Sequence, residues 1–172
     1  GDLFPDEGDV SVFGVNLANL SPDDLMLARR NMGIIFQGGR LFEHLTVLDN
    51  VALALQLTHQ SVREARGCAL ELLNWVGLKG LGHKYPDQLS CGQNQRVAIA
   101  RAMASEPQIV IADEPTANLD SKTTRSILTL MKELNRIRGT AFVFATHDPI
   151  LDEFATTKRV IRDGVLLPGL AS

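Results

Sequence analysis

The spacing of apolar residues in the middle of the chain predicts a group of helices. One apolar stripe recurs every three or four residues, as expected for a helix with one core-facing side, at Val62, Ala65, Ala69, Leu72 and Val76. Helix starts are predicted where a hydroxyl residue is followed three positions later by an acid or amide, as in Thr46 with Asp49, Ser61 with Glu64, and Ser90 with Gln93. Residues 40–104 are therefore predicted to be mostly helical.

Compact apolar runs on either side of this helical region predict strands. They span Met32 to Phe36, Ile109 to Ala112, and Ala141 to Ala145, with a helix from Asp120 to Arg138 between the last two. Runs without alternation favour strands covered on both faces. Because strands and helices alternate, the predicted fold class is α/β with a mostly parallel sheet, helices on both faces and a helical subdomain.

Shorter patterns predict the elements near the two ends. Val10 to Val15 reads as a small β segment with a turn, and Ser21 caps a helix that ends near Arg30. Asp163-Gly164 joins two short strands in a hairpin over residues 158–167. We expect one incomplete domain over 1–172, divided into a strand part (1–39), a helical subdomain (40–104) and a core part (105–172).

Composition narrows the class of protein. A chain of 172 residues with 45% hydrophobic residues fits one globular domain, and a net charge of −3 without a basic stripe argues against nucleic-acid binding. Val51 to Leu55, one of the longest apolar stretches, is much shorter than the ~20 residues that span a bilayer. Cys68 and Cys91 lack metal-ligand spacing and are expected to be reduced thiols. We expect a cytoplasmic chain that does not insert into a membrane.

Two patterns carry candidate chemistry. Asp113 and Glu114 end a predicted buried strand, where one carboxylate could hold Mg²⁺ and the other could act as a general base. The alternative is a solvated loop that caps a helix. In the second pattern, Ser90, Gly92 and Gln93 open a helix and could bind an anion through a hydroxyl and free N–H groups, although an ordinary capping box would give the same residues.

Taken together, these motifs resemble the ATP-binding subunits of ABC transporters. The shared motifs, in order, are Gln37, Leu-Ser-x-Gly-Gln at 89–93, Asp-Glu-Pro-Thr at 113–116, Asn-Leu-Asp at 118–120 and Thr-His-Asp at 146–148. The resemblance covers nearly the whole chain and implies a P-loop NTPase-type fold. It also implies ATP and Mg²⁺ as cofactors, a second ATPase subunit as a partner, and a separate transmembrane permease on whose cytoplasmic side the subunit lies.

The resemblance implies a role for each motif. Ser90, Gly92 and Gln93 would contact the γ-phosphate of ATP held by the opposite subunit, so that dimerisation becomes part of catalysis. Asp120 would contact that partner subunit, and its other role as a helix N-cap is compatible with this.

The remaining motif residues would act on the subunit's own nucleotide. Gln37 would touch Mg²⁺ and the attacking water, the alternative being a surface amide at the end of a strand. Asp113 would support Mg²⁺, Glu114 would be the general base, and His147 would contact the γ-phosphate, whereas a lone His after a strand is usually structural.

The sequence departs from the family pattern in three places. Cys91 and Asn94 stand where the family more often has Gly and Gln or Glu. More importantly, no Gly-x-x-x-x-Gly-Lys-[Ser/Thr] motif occurs, so the loop that cradles phosphates is missing from these residues. We therefore expect the chain to begin after the P-loop, to be inactive alone, and to expose apolar surface where upstream strands would pack.

Three functions remain open at this level. The first is a transport ATPase subunit, with details such as residues 46–51 and 139–142 resembling the lipoprotein-release and macrolide-export branch. The second is a non-catalytic nucleotide-binding remnant or regulatory subunit. A soluble ABC ATPase of DNA repair or translation is the third, but residues 40–104 offer neither a tandem domain nor a long coiled-coil insert.

Overall fold

The computed structural model describes residues 5–57 and 61–167. Its strands are β1 (Ser11–Val12), β2 (Val15–Asn16), β3 (Met32–Ile35), β4 (Ile109–Asp113), β5 (Ala141–Ala145), β6 (Ile161–Arg162) and β7 (Val165–Leu166). Its α-helices are α1 (Pro22–Arg30), α2 (Val47–Gln56), α3 (Val62–Trp75), α4 (Cys91–Met103) and α5 (Ser121–Arg138). The predicted strands and helices are thus present, with ends within a few residues of those expected.

The centre of the structure is a parallel sheet in the order β3, β4, β5. One face is buried, since Ile35, Val110 and Ala112 are fully covered. Gly33 lies on this face against α4, where an added Cβ would stand 2.6 Å from the carbonyl oxygen of Ala102. This close approach explains why the first central strand contains a glycine.

The opposite face of the sheet is open. Ile34, Ile111 and Val143 are register partners across the three strands and are 47%, 37% and 49% exposed. The prediction that these strands are covered on both faces is therefore wrong for the described residues, because only one face is buried. The expected exposed apolar surface is present on the other.

The helices begin where their caps were predicted. Side chains of Ser21, Thr46, Ser61, Ser90 and Asp120 each accept a hydrogen bond from a backbone N–H in the first turn of the following helix. Each cap satisfies a donor that has no partner inside its helix, which fixes the helix start locally.

Helices α2, α3 and α4 pack together and join one continuous apolar core with the buried face of the sheet. The stripe predicted for α3 is partly wrong. Val62 is 61% exposed and Leu72 only half-buried, whereas Leu73 is buried beside Ala65 and Ala69. Val76 is buried as predicted, just after the helix. The core-facing side of α3 therefore follows Ala65, Ala69 and Leu73, with Leu72 packed at its margin.

Two small hairpins lie outside the central sheet. β1 pairs with β2 and β6 pairs with β7, both antiparallel. In the second hairpin, Asp163 and Gly164 have φ of 50° and 77°, as required by the tight turn predicted from this dipeptide. Within the described ranges, no helix combines the length and apolar character needed to cross a bilayer.

Candidate functional site

The three central strands bring three of the predicted motifs to one edge of the sheet. Gln37 follows β3, Asp113 and Glu114 stand at the end of β4, and His147 follows β5. Because the strands are parallel and β4 lies between the other two, their carboxyl ends meet at the same edge. This edge is the candidate catalytic site.

Glu114 is held at both carboxylate oxygens by the loop that follows β5. Its Oε1 lies 2.6 Å from Nδ1 of His147, and its Oε2 accepts a hydrogen bond from the hydroxyl of Thr146 at 3.1 Å. A carboxylate can only accept, so the contact requires a proton on Nδ1 of His147. The His147 side chain is 90% exposed, which leaves Nε2 free to face a ligand.

The backbone at Glu114 is in an unusual conformation. Its φ is +43°, in the left-handed region that costs a residue with a Cβ about 1 kcal/mol or more. Its N–H donates to the carbonyl of Ala145 at 2.8 Å, extending the pairing of β4 with β5 by one residue. Such strain persists only where neighbouring contacts impose it, and it aims this carboxylate at the edge of the sheet.

Thr146 and Asp148 fix the loop that carries His147. The Asp148 N–H donates to the Thr146 hydroxyl at 3.0 Å, and the buried Thr116 hydroxyl donates to Oδ2 of Asp148 at 2.9 Å. The loop after β5 is therefore tied to the segment after β4. Sequence reasoning missed Thr146 and Thr116 as positioning residues, although both lie within the motifs that it identified.

Asp113 and Gln37 are exposed at the same edge. Among the described residues, no group of three or more His, Cys, Asp or Glu side chains could hold a metal ion. Mg²⁺ in nucleotide sites is commonly held by one or two protein oxygens together with phosphates and water. The oxygen donors of Asp113 and Gln37 fit that kind of site. Their role in holding Mg²⁺ stays a prediction, because phosphates of a bound nucleotide would supply the other ligands.

The loop after Gln37 is clamped against α4 by Arg101. Its guanidinium donates to the carbonyls of Gly39 at 2.7 Å and Arg40 at 2.9 Å. Desolvation by burial lowers the pKa of Arg101. Gly39 has φ +74°, and a Cβ there would contact Ala98 of α4 at 3.4 Å. Sequence reasoning missed this clamp, because the partners are main-chain atoms about sixty residues away.

The second candidate site is the signature turn (residues 89–93) at the start of α4. Ser90 Oγ accepts from the Gln93 N–H at 3.3 Å, and Gln93 Oε1 accepts from the Ser90 N–H at 2.9 Å. The capping-box alternative is thus present in the structure. It leaves the N–H groups of Cys91 and Gly92 without acceptors inside the helix, and the predicted anion role of the same turn stays a prediction.

Asp120 caps α5, as its alternative role predicted. Its Oδ1 accepts from the N–H groups of Lys122 and Thr123 at 3.0 Å each, and its Oδ2 accepts from the Thr123 hydroxyl at 2.6 Å. The hydrogen bond from this hydroxyl is the main reason that the pKa of Asp120 lies below its ordinary value. The predicted contact of Asp120 with a second subunit stays a prediction.

The family is decided by comparison with known proteins. The family model described as ABC transporter matches residues 1–117. The chain belongs to the ABC transporter family. A methionine import ATP-binding protein, MetN, from Cupriavidus pinatubonensis is 44% identical over 167 residues, which cover 93% of this chain and 48% of MetN. MetN from Aliivibrio fischeri is 47% identical over 144 residues, which cover 84% of this chain and 42% of MetN.

Solved structures of ABC transporter cassettes share the fold. A dimeric post-hydrolysis state of the ATP-binding cassette MJ0796, bound to ADP and Pi, has a TM-score of 0.82 and 41% identity and covers 93% of this chain and 71% of that one. The cbiO1 protein from Clostridium perfringens, part of the ABC transporter complex cbiONQ, has a TM-score of 0.87 and 30% identity, covering 96% and 66%. The predicted ABC ATPase fold class is confirmed.

The curated relatives do not support the narrower expectation of a lipoprotein-release or macrolide-export branch. These curated relatives are methionine import ATP-binding proteins rather than members of a lipoprotein-release or macrolide-export branch. The chain spans about half the length of the curated relatives that it matches. Membership of the ABC transporter family is therefore established at the level of the domain.

Proposed function

We propose that the full-length protein is the ATP-binding and ATP-hydrolysing subunit of an ABC transporter and drives a separate membrane permease from the cytoplasmic side. The observation that carries this proposal is the placement of Glu114. Its carboxylate lies at the carboxyl edge of a parallel sheet, held by His147 at one oxygen and Thr146 at the other. A fixed, partly shielded carboxylate at such an edge is suited to accept a proton from an attacking water.

The other edge residues have complementary roles in this proposal. Bound Mg²⁺ would neutralise charge on the terminal phosphates of ATP. Asp113 and Gln37 would hold it through oxygen atoms, and Gln37 would also orient the water. His147, which donates from Nδ1 to Glu114, would also need a proton on Nε2 to donate to the γ-phosphate, whose oxygens can only accept.

The signature turn would act on a different nucleotide. Ser90, Gly92 and Gln93 would contact the γ-phosphate of ATP bound by a second copy, so two copies would enclose two nucleotides. The solved MJ0796 cassette that shares the fold is dimeric and bound to ADP and Pi, which supports this arrangement. Asp120 would contact the same second copy.

The transported molecule is proposed from the relatives. Since the curated relatives are methionine import proteins at 42–48% identity, we infer import of a small amino-acid solute, not lipoprotein release. Uptake of radiolabelled methionine by cells lacking this protein, with and without a restored copy, tests this narrower proposal. Equal uptake in both strains would reject methionine and leave the ATPase assignment untouched.

The catalytic proposal is tested by Glu114→Gln in the full-length protein. This change keeps the size of the side chain but removes its basicity, so turnover should fall roughly 10²- to 10⁴-fold while ATP still binds. Glu133→Gln is the matched control, because Glu133 lies exposed on α5 away from the edge. If Glu114→Gln hydrolyses ATP as fast as the unchanged protein, Glu114 is not the base.

The same experiment addresses the non-catalytic alternative, which rests on the absence of a P-loop motif from these 172 residues. A full-length protein that binds ATP without magnesium-dependent hydrolysis, with or without its permease, would favour that alternative.

A further inference from the structure

Thr123, in the first turn of α5, contacts both the signature turn and Asp120. A Cβ added to Gly92 would lie 2.6 Å from Cγ2 of Thr123, and the next nearest atom, Cβ of Thr123, would be 3.9 Å away. On its other side, the Thr123 hydroxyl donates to Oδ2 of Asp120 at 2.6 Å. One side chain therefore lies between two motifs that are about thirty residues apart in the sequence.

The methyl group of Thr123 gives an intramolecular reason for glycine at position 92. Gly92 is the second residue of α4 and does not have a positive φ, so its backbone does not require glycine. Inside a helix, alanine is favoured over glycine. What excludes a side chain here within the subunit is the 2.6 Å approach of Cγ2, a separation that is shorter than real carbon contacts.

The Thr123 side chain cannot simply rotate away from an added Cβ. Its χ1 is held because its hydroxyl is bonded to the carboxylate of Asp120. A rotation that moved Cγ2 would also move the hydroxyl. The position of the signature turn and the cap of α5 are therefore linked through this one residue.

We propose that Thr123 is a positioning residue that holds the signature turn and Asp120 as one rigid surface for the second copy and its nucleotide. The inference rests on the proposed function, in which both motifs face the partner. It adds a residue outside the recognised motifs. It also gives Gly92 a role in packing that is separate from its contact with phosphate.

Two substitutions separate the two contacts of Thr123. Thr123→Ser removes Cγ2 but keeps the hydroxyl, whereas Thr123→Val keeps the methyl group and removes the hydroxyl. Urea unfolding of the full-length protein tests the contact with Gly92. Gly92→Ala should lower the unfolding midpoint, and adding Thr123→Ser should recover most of the loss, because the nearest remaining atom would be 3.9 Å away.

The shared surface is tested by ATP-driven dimerisation, measured by sedimentation in a Glu114→Gln background that slows hydrolysis. Thr123→Val should raise the dimer dissociation constant by about tenfold, because Asp120 loses the donor that holds it in position for the second copy, while the monomer binds ATP as before. Thr123→Ser should raise it less, by about threefold, because only the van der Waals contact with Gly92 is lost. If Thr123 acts only in folding, both substitutions change the unfolding midpoint, but Thr123→Val and Thr123→Ser have the same dimer dissociation constant.

The outcomes are distinct. If Thr123→Ser fails to restore Gly92→Ala in unfolding, or if Thr123→Val dimerises like its parent, the inference is overturned. If the Glu114→Gln parent binds ATP but forms no dimer, the proposed function and the shared surface both fail. The urea-unfolding experiment needs no ATP, so it would still decide whether the effects of Gly92→Ala and Thr123→Ser on stability are coupled.

Discussion

Asn50 offers the most sensitive test of how the helices hold the loop beyond Gln37. The side chain is fully buried, and its Oδ1 accepts from the Phe42 N–H at 2.8 Å. Its Nδ2 donates to the carbonyls of Phe42 at 3.0 Å, Leu45 at 3.2 Å and Thr46 at 3.0 Å. One amide thus ties the 42–46 loop to α2, and Asn50→Asp changes its donors without changing its shape.

The expected cost follows from the geometry. An ionised carboxylate at position 50 would face three carbonyl oxygens in a buried site, which should raise the pKa of the new Asp by roughly 3 units. Each unit corresponds to about 1.4 kcal/mol, so the variant should lose about 4 kcal/mol of unfolding free energy at pH 7. That is a large part of the 5–15 kcal/mol typical of a domain.

The stability lost in Asn50→Asp should depend on pH. The folded variant binds a proton that the unfolded chain, with an Asp pKa of about 3.9, does not bind at pH 5 to 7. The ionisation penalty is full above the raised pKa and shrinks as the pH falls towards about 4, so acid should favour the folded variant. Asn50→Ala, which introduces no titrating group, should lose about 2–4 kcal/mol for its unpaired backbone groups without this trend.

The assay is urea unfolding of the full-length protein, followed by far-UV circular dichroism at pH 5, 6 and 7. The difference between the Asp and Ala variants at each pH removes the protein's own pH dependence. The reasoning is refuted if Asn50→Asp is as stable as the unchanged protein at pH 7, or if this difference does not change with pH.

Three further predictions concern single contacts. Arg101→Met, which frees the carbonyls of Gly39 and Arg40, should lower ATP turnover several-fold while the KM for ATP stays within about twofold; an unchanged turnover would contradict the clamp. Gly139→Ala should cost about 1 kcal/mol in urea unfolding, since Gly139 has φ +71° and open space around it, and a stabilised variant would contradict this. Asp120, with its lowered pKa, should stabilise α5 above about pH 4 and lose this effect as the pH falls through its folded pKa. The titration of the Asp120 carboxyl can be followed by NMR, and Asp120→Asn should abolish this pH dependence.

The helix starts and the edge residues could be predicted from the sequence because their causes are local. Ser61 with Glu64, for example, forms its capping box from residues three positions apart. The grouping of Glu114 with His147 could also be predicted, because successive strands of a parallel sheet end at one edge. What local pattern could not give was which apolar residues are buried, as the exposure of Val62 and Ile111 shows.

The sequence by itself determined the family motifs, the caps and the order of strands and helices, since each depends on residue type and short spacing. Only the tertiary structure decided that one face of the sheet is open, that Arg101 clamps the loop after Gln37, and that Thr123 lies against Gly92. These contacts join residues tens of positions apart through main-chain carbonyls and single methyl groups. Such atoms carry no sequence signal, because their partners are chosen by how whole elements pack.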